Sequence, residues 1–390
     1  MEKISHMVYE NLPYSREQVL KNFEQFAINQ LPLYAGRRNF DLGSPHKNVS
    51  KLSPYLRRRL ISENEVLEIA LSKNSISSLE KFIQEVFWRS YWRGWLEMRP
   101  SVYQDYANAQ NETDLPAKTG IKCFDHWTEE LIETGYLHNH ARMWYASIWI
   151  FTLRKSWFSG ANFFKDYLLD WCPASNTLGW RWVAGLQTRG KIYSAKADNI
   201  KLFTNNKFFP KGELNESPVF DNDIWKTYET SSDISFENQH FRTDENIGLI
   251  LNKNDLTLNR YLSKKQIEFE CCVFYDPEYQ TSKSASVQNF ESGLINELCL
   301  ELKNFHFCQN KKALTSWAKS KKLKCLIFPF ETVGNKYFME NSFIDELRSQ
   351  NIEPIFYMRD WDRYAFPHAK KGFFPFKKNI PDLLARNGVI

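Results

Sequence analysis

Through about residue 208 the apolar positions recur at helical spacing. From Ser78 to Met98, Glu85, Trp88, Arg89, Trp92 and Leu96 fall at i, i+3, i+4, i+7 and i+11, one face of a helix. Leu131 to Trp157 keeps the same period and predicts a long helix, broken or kinked near Gly135, with Asn139, Arg142 and Met143 on one face. Ser53-Pro54 predicts a helix start, with Ser53 capping and Pro54 in the first helical position. Glu63 to Leu71 predicts a shorter helix. From about Phe209 to Glu245 the pattern dissolves into Pro, Gly, Asn, Ser and charge, the signature of a linker or extended surface segment. Then the grammar changes. Phe269 to Tyr275, Cys325 to Pro329 and Ile352 to Tyr357 are short apolar runs of strand type, the last preceded by a helical stretch, Met339 to Gln350. Strand and helix alternating predicts a small α/β domain with a parallel sheet. The pattern thus divides the chain into a helical domain at 1–208, a linker at 209–245 and an α/β domain at 246–390.

Composition narrows the class. A length of 390 residues suits two domains, and 43% hydrophobic with 25% charged residues is the balance of a soluble globular protein. Met1 to Leu20 holds Glu2, Lys3, Glu10 and Arg16 and no apolar core, so no signal peptide is expected. The longest apolar run, Met143 to Leu153, is too short to span a bilayer; a cytoplasmic protein with no membrane partner is expected. Seven cysteines, an odd number without a Cys-x-x-Cys pair, argue for reduced thiols and against a metal or iron–sulfur centre. Charge is uneven: 28 basic against 22 acidic residues through Asn215, then 23 against 24. A polyanionic partner would meet the first half.

The aromatic content does most to point to chemistry. Ten of the thirteen tryptophans lie from Trp88 to Trp182. They frame two polar clusters, Gly135 to Met143 and Asp170 to Trp182. Aliphatic residues would fill a core more simply, so this field suggests a site that stacks rings and moves electrons. No G-x-G-x-x-G or phosphate-loop motif is present, so a Gly-rich loop explains no nucleotide binding.

Four motifs in one order carry a resemblance. They are Ser50-Lys51-Leu52-Ser53-Pro54-Tyr55-Leu56, Glu85 to Arg93, Asn139 to Met143, and Asp170 to Trp182. From about Tyr34 to Phe203 the chain resembles the flavin-binding helical domain of the DNA photolyase/cryptochrome family, in the form of short bacterial photolyase-like proteins that place the helical domain first. The resemblance implies a multi-domain protein: an all-α photolyase-type FAD-binding domain followed by a small α/β domain. It implies that Tyr34, Ser50, Lys51, Leu52 and Ser53 hold the FAD diphosphate, and that Arg89, Arg142, Asp170, Cys172 and Asn176 surround the flavin. Val49 and Lys51 replace a common Thr and Arg, and Lys51 keeps charge while losing bidentate geometry. Cys172 stands where the family usually has an Asp accepting from the flavin, and a thiol is a poor acceptor.

The same resemblance assigns Glu85, Trp88, Asn139, His140, Met143 and Trp182 to the face that meets a flipped-out lesion. His140 stands where an Arg for a lesion phosphate is frequent. Asn139 with Met143 implies repair of cyclobutane pyrimidine dimers. Asn176 faces the flavin in typical photolyases. Trp180 and Trp157 match the first two members of an electron-transfer chain; Tyr103 or Tyr106 could supply the third. The implied activity is that of a deoxyribodipyrimidine photolyase, a light-driven, FAD-dependent lyase acting on ultraviolet-damaged DNA. The alternative is a cryptochrome-like blue-light sensor that acts through a protein partner. No antenna pigment is implied, and no metal.

Overall fold

The computed structural model describes residues 12–109, 116–231, 234–243, 245–279, 284–302, 305–335 and 341–390. Its first half is helical: α1 (Arg16–Asn29), α2 (Tyr34–Arg37), α3 (Ser53–Arg57), α4 (Glu63–Lys73), α5 (Glu80–Glu97), α6 (Pro100–Asn108), α7 (Lys122–Thr134), α8 (Asn139–Ser147), α9 (Trp157–Tyr167), α10 (Pro173–Val183) and α11 (Ala197–Phe203). The second half alternates: β1 (Ile247–Leu251), α12 (Leu258–Lys264), β2 (Cys271–Phe274), α13 (Ala285–Glu301), β3 (His306–Phe307), α14 (Lys311–Ser320), β4 (Cys325–Pro329), α15 (Asn341–Ser349) and β5 (Glu353–Tyr357). A helical tail follows, with α16 (Asp360–Ala365), α17 (Phe373–Lys377) and α18 (Ile380–Arg386). No helix among the described residues is long and apolar enough to cross a membrane.

Local chemistry sets these boundaries. Ser62 and Glu65 form a capping box at the start of α4. The expected helix from Leu131 to Trp157 is instead three elements. Leu131 ends in α7, which Gly135 stops in the left-handed region (φ 66°). A side chain there would also meet Leu169 at 2.6 Å, so both backbone and packing require glycine. α8 runs on into a π-helical turn, Ile148–Thr152, and Trp157 opens α9 behind a Ser156 cap. Ser53 does not cap α3. It is the first helical residue, Leu52 takes the cap position, and no side chain caps there.

The five strands are all parallel, in the order β3-β2-β1-β4-β5. Two of them, β1 and β3, escaped the sequence pattern. β1 is wholly buried and includes Gly248, whose missing side chain lets Leu323 and Leu326 close in. β3 is a two-residue edge with both residues exposed, so it carries no apolar signal. The order reverses direction between β1 and β4. In open parallel sheets such a point leaves a crevice at the carboxyl ends of the strands.

That crevice faces the helical half. One apolar core runs through both halves, joining Leu52, Tyr55 and Phe87 to Leu249, Ile327 and Trp361. A second core, among α7 to α10, buries Trp127, Trp144 and Trp149 completely. The stretch between the halves is extended rather than free. Ser231 donates to the Met98 carbonyl at 2.9 Å, and Asn238 donates to the Met358 carbonyl at 2.9 Å. The aromatic, basic tail covers α5: Trp361 stacks on Phe87 at 4.7 Å, and Tyr91 donates its hydroxyl to the Lys371 carbonyl at 2.9 Å.

Candidate flavin and lesion site

The diphosphate and lesion motifs converge. A cavity of about 150 Å³, open to solvent, is lined by Tyr34, Ser50, Lys51, Leu52 and Ser53 together with Glu85, Asn139, His140 and Met143. α2 and the start of α3 supply the first set, α5 and the start of α8 the second. Lys51 has a positive φ of 51° and no ionic partner among the described residues; burial lowers its pKa. A half-buried ammonium without a counter-ion, beside two hydroxyls, is a site prepared for an anion.

Arg38 was not found from the sequence, because an Arg-Arg pair after a short helix reads as solvated surface. It lines the same cavity and forms an ion pair with Glu85. Burial pushes the Glu85 carboxyl above its usual range, and Arg38 only partly offsets this. His138 donates its Nε2–H to the Arg38 carbonyl at 3.0 Å, and His140 donates its Nδ1–H to the Asn39 carbonyl at 2.9 Å. Burial holds His138 down to about 4 and also lowers His140. Both rings are therefore neutral at neutral pH, and His140 brings no charge to the cavity.

Arg142 and Asp170 form a bidentate pair, with both bonds at 3.0 Å. Arg142 also lies over the ring of Tyr136, a wall of the cavity, at 5.6 Å. Asn176 sits one helical turn into α10 and donates to the Ala161 carbonyl at 2.9 Å. Arg89 and Cys172 line a second, tight space of about 20 Å³, at the switch point of the sheet. Arg57, Arg59, Arg93 and Arg359 line it too, with Asp255, Glu331 and Asp362. The run Arg57-Arg58-Arg59 reads in sequence as an exposed charge cluster. In the fold all three are buried and cross to the second half, Arg58 to Glu291 and Arg59 to Asp362.

The tryptophans divide. Trp180 is buried on α10, its indole N–H without a partner, edge-on to Phe164 at 5.1 Å and to Trp149 at 6.2 Å. Trp157 stacks on Tyr106 at 5.9 Å, and Tyr106 meets Tyr103 at 5.5 Å. Trp182 packs on Tyr193 at 5.3 Å. Trp88 is stacked face to face on Phe373 of the tail at 3.7 Å. Its ring is thus covered by the tail, away from Asn139 and Met143.

Residues 82–208 match the family model for the FAD binding domain of DNA photolyase. The deoxyribodipyrimidine photo-lyase of Alkalihalophilus pseudofirmus is 27% identical over 190 residues, 45% of this chain and 39% of that protein. That of Streptomyces griseus is 30% identical over 175 residues, 39% of this chain and 38% of that protein. Among solved structures, a cryptochrome of Synechocystis sp. PCC6803 aligns with a TM-score of 0.43 at 20% identity, over 49% of this chain and 43% of that one. The matched region spans well under half the length of these curated relatives. It contains Glu85, Arg89, Arg142, Asp170, Asn176 and Trp180, and over it the chain is similar to the FAD-binding domain of the DNA photolyase/cryptochrome family.

Proposed function

We propose that this protein is a FAD-dependent photolyase that uses light to repair cyclobutane pyrimidine dimers in DNA. The observation that carries the reading is the single cavity joining Tyr34 and Ser50 to Ser53 with Glu85, Asn139 and Met143. The donor set fits a dinucleotide. Lys51 and the two serines suit a diphosphate. The matched domain type supports the same cofactor.

Bound FAD supplies a light-absorbing group able to give one electron to the dimer and take it back. The chain's own residues bind, orient and protect. Lys51 neutralises phosphate. The Arg142–Asp170 pair fixes a cation over Tyr136, a wall of the cavity, where it would stabilise electron density added to a bound flavin. Glu85, with its raised pKa, is suited to hydrogen-bond a base edge as acceptor or, when protonated, as donor. Asn139 and Met143 give the cavity wall a neutral amide and a polarizable thioether. Trp180 and Trp157, continued by Tyr106 and Tyr103, offer aromatic steps for reducing the flavin.

A second reading, a blue-light sensor without repair activity, is favoured by one feature. Phe373 occupies the face of Trp88 that would stack on an extruded base. The test is repair of a dimer-containing oligonucleotide by photoreduced protein, with a dark control and a flavin spectrum of the same sample. Light-dependent return of thymine is expected. Bound, photoreducible FAD without repair would favour the sensor, and a protein that takes up no FAD would refute both.

A further inference from the structure

The tail that follows β5 carries more charge and ring surface than its packing uses. Residues 366–378 hold four lysines and no Asp or Glu. Contacts along α5 fix their path. Arg99 donates to the Lys370 carbonyl at 2.7 Å, and Tyr91 donates to the Lys371 carbonyl at 2.9 Å. Phe373 stacks on Trp88, and Lys377 pairs with Glu80 at 2.9 Å. The tail thus runs antiparallel to α5, from the level of Arg99 back past that of Glu85, which lines the cavity.

Packing uses one side of it. Phe373 and Phe376 are buried against Tyr91 and Phe87. The other side is open. Phe374 is 82% exposed. Lys370, Lys371 and Lys378 are exposed and have no ionic partner among the described residues. Arg99 and Lys81 extend the same charge. Arg99 lies over Trp95 at 4.3 Å with its Nη1 lacking a hydrogen-bond partner, and Lys81 is exposed one turn before Glu85. Of the acidic groups beside the tail, Glu80 is held by Lys377 and Asp382 acts on His368. One exposed ring by itself means little. A ring interleaved with cations, on a segment pinned beside a cavity, suits a polyanion that carries flat bases.

We propose that residues 367–378 are a DNA contact: the lysines track the phosphates of one strand as it leaves the cavity, and Phe374 stacks on an unpaired base of that strand. This rests on the reading that DNA is what enters the cavity. Trp88 then has a different duty. With Phe373 on its face it anchors the tail, and Phe374 is the ring left free to meet a base. Recognition by charge and stacking is independent of sequence. A second lysine cluster, Lys319, Lys321, Lys322 and Lys324, lies between α14 and the amino end of β4. The strands are parallel, so it sits at the end of the sheet opposite the crevice and serves as a control for bare charge.

The test is fluorescence anisotropy of a labelled, undamaged oligothymidine with full-length protein in the dark, at several salt concentrations. It needs neither flavin nor lesion. Lys370→Gln, Lys371→Gln and Lys378→Gln together should make the fall of log affinity with log salt shallower by about 2, at about 0.7 for each lost phosphate contact. Phe374→Ala should weaken binding about tenfold and leave the salt slope unchanged. Lys319→Gln, Lys321→Gln and Lys322→Gln together remove the same charge and should change neither. All these positions are exposed, so unfolding midpoints should match wild type. A salt slope unaltered in the tail variant, or lowered equally by the control cluster, would overturn the proposal. So would capture of anionic vesicles with no binding of DNA. Tail-dependent binding by a protein that takes up no flavin or repairs no dimer would refute the repair reading and leave the DNA contact standing.

Discussion

At the scale of single residues, close packing around the electron-chain positions gives sharp expectations. Gly160 lies on α9 against Trp180; a methyl group there would sit 2.2 Å from the Trp180 ring. Gly160→Ala should therefore destabilise the protein by about 1–3 kcal/mol and change the near-ultraviolet dichroism of tryptophan. An unchanged unfolding midpoint would contradict this placement. Tyr106 donates to Asn162 at 2.6 Å and stacks on Trp157. If the aromatic path runs through it, Trp157→Phe and Tyr106→Phe should both slow photoreduction of bound flavin, while Trp182→Phe, on the far side of α10, should leave it unchanged. Single-turnover flavin bleaching measures this. The residue scale also shows where isolated reading of side chains stops. His140 and Lys51 were legible as candidates, but only the fold reveals that one is neutral by burial and the other lacks a counter-ion.

At the scale of elements, α5 is the hinge of the molecule's chemistry. Its one face sends Glu85 to the first cavity and Arg89 to the second void, and Arg93 reaches the tail. Asp362 on α16 binds Arg59 of the helical half and Arg93 of α5 together. Asp362→Asn should cost about 3–5 kcal/mol, since it strands buried cations. Its pH dependence has a definite sign. Burial raises this carboxyl, but Arg59, Arg93 and Arg89 outweigh burial and lower it below the ordinary 3.8. The unfolded chain then binds the proton more readily than the folded one. The contribution is full above about pH 4 and is lost as pH falls through the depressed folded value. Denaturant midpoints followed into acid should show wild type losing stability there and Asp362→Asn losing less; parallel curves would contradict the pairing.

At the scale of the whole molecule, the helical and α/β halves share an apolar core and a seam of buried arginines and carboxylates. Separating them would expose both. A fragment ending at residue 245 should fail to give a cooperatively folded protein, and the full chain should unfold in one transition. A soluble fragment with a sharp melt and bound FAD would show instead that the helical half stands alone. The sheet's switch point opens toward Cys172 and Arg89. The second half therefore forms one wall of that buried, arginine-rich space.

The helical half, three of the five strands and several residues lining the first cavity could be read from the chain, though Arg38 could not. Each leaves a local mark: a period of 3.6, a run of apolar residues, a motif at fixed spacing. β3 left none, being two exposed residues on an edge, and β1 is a short run interrupted by glycine. The meaning of Arg57 to Arg59 was also beyond the sequence. Charge runs usually face water, and these are buried because partners more than a hundred residues away pair with them. The same holds for Trp88, whose ring is claimed by Phe373. Local pattern determines which elements form and which side chains share a face; which of those faces becomes cavity, seam or covered surface is decided by long-range packing, because burial and counter-charge are supplied by distant chain.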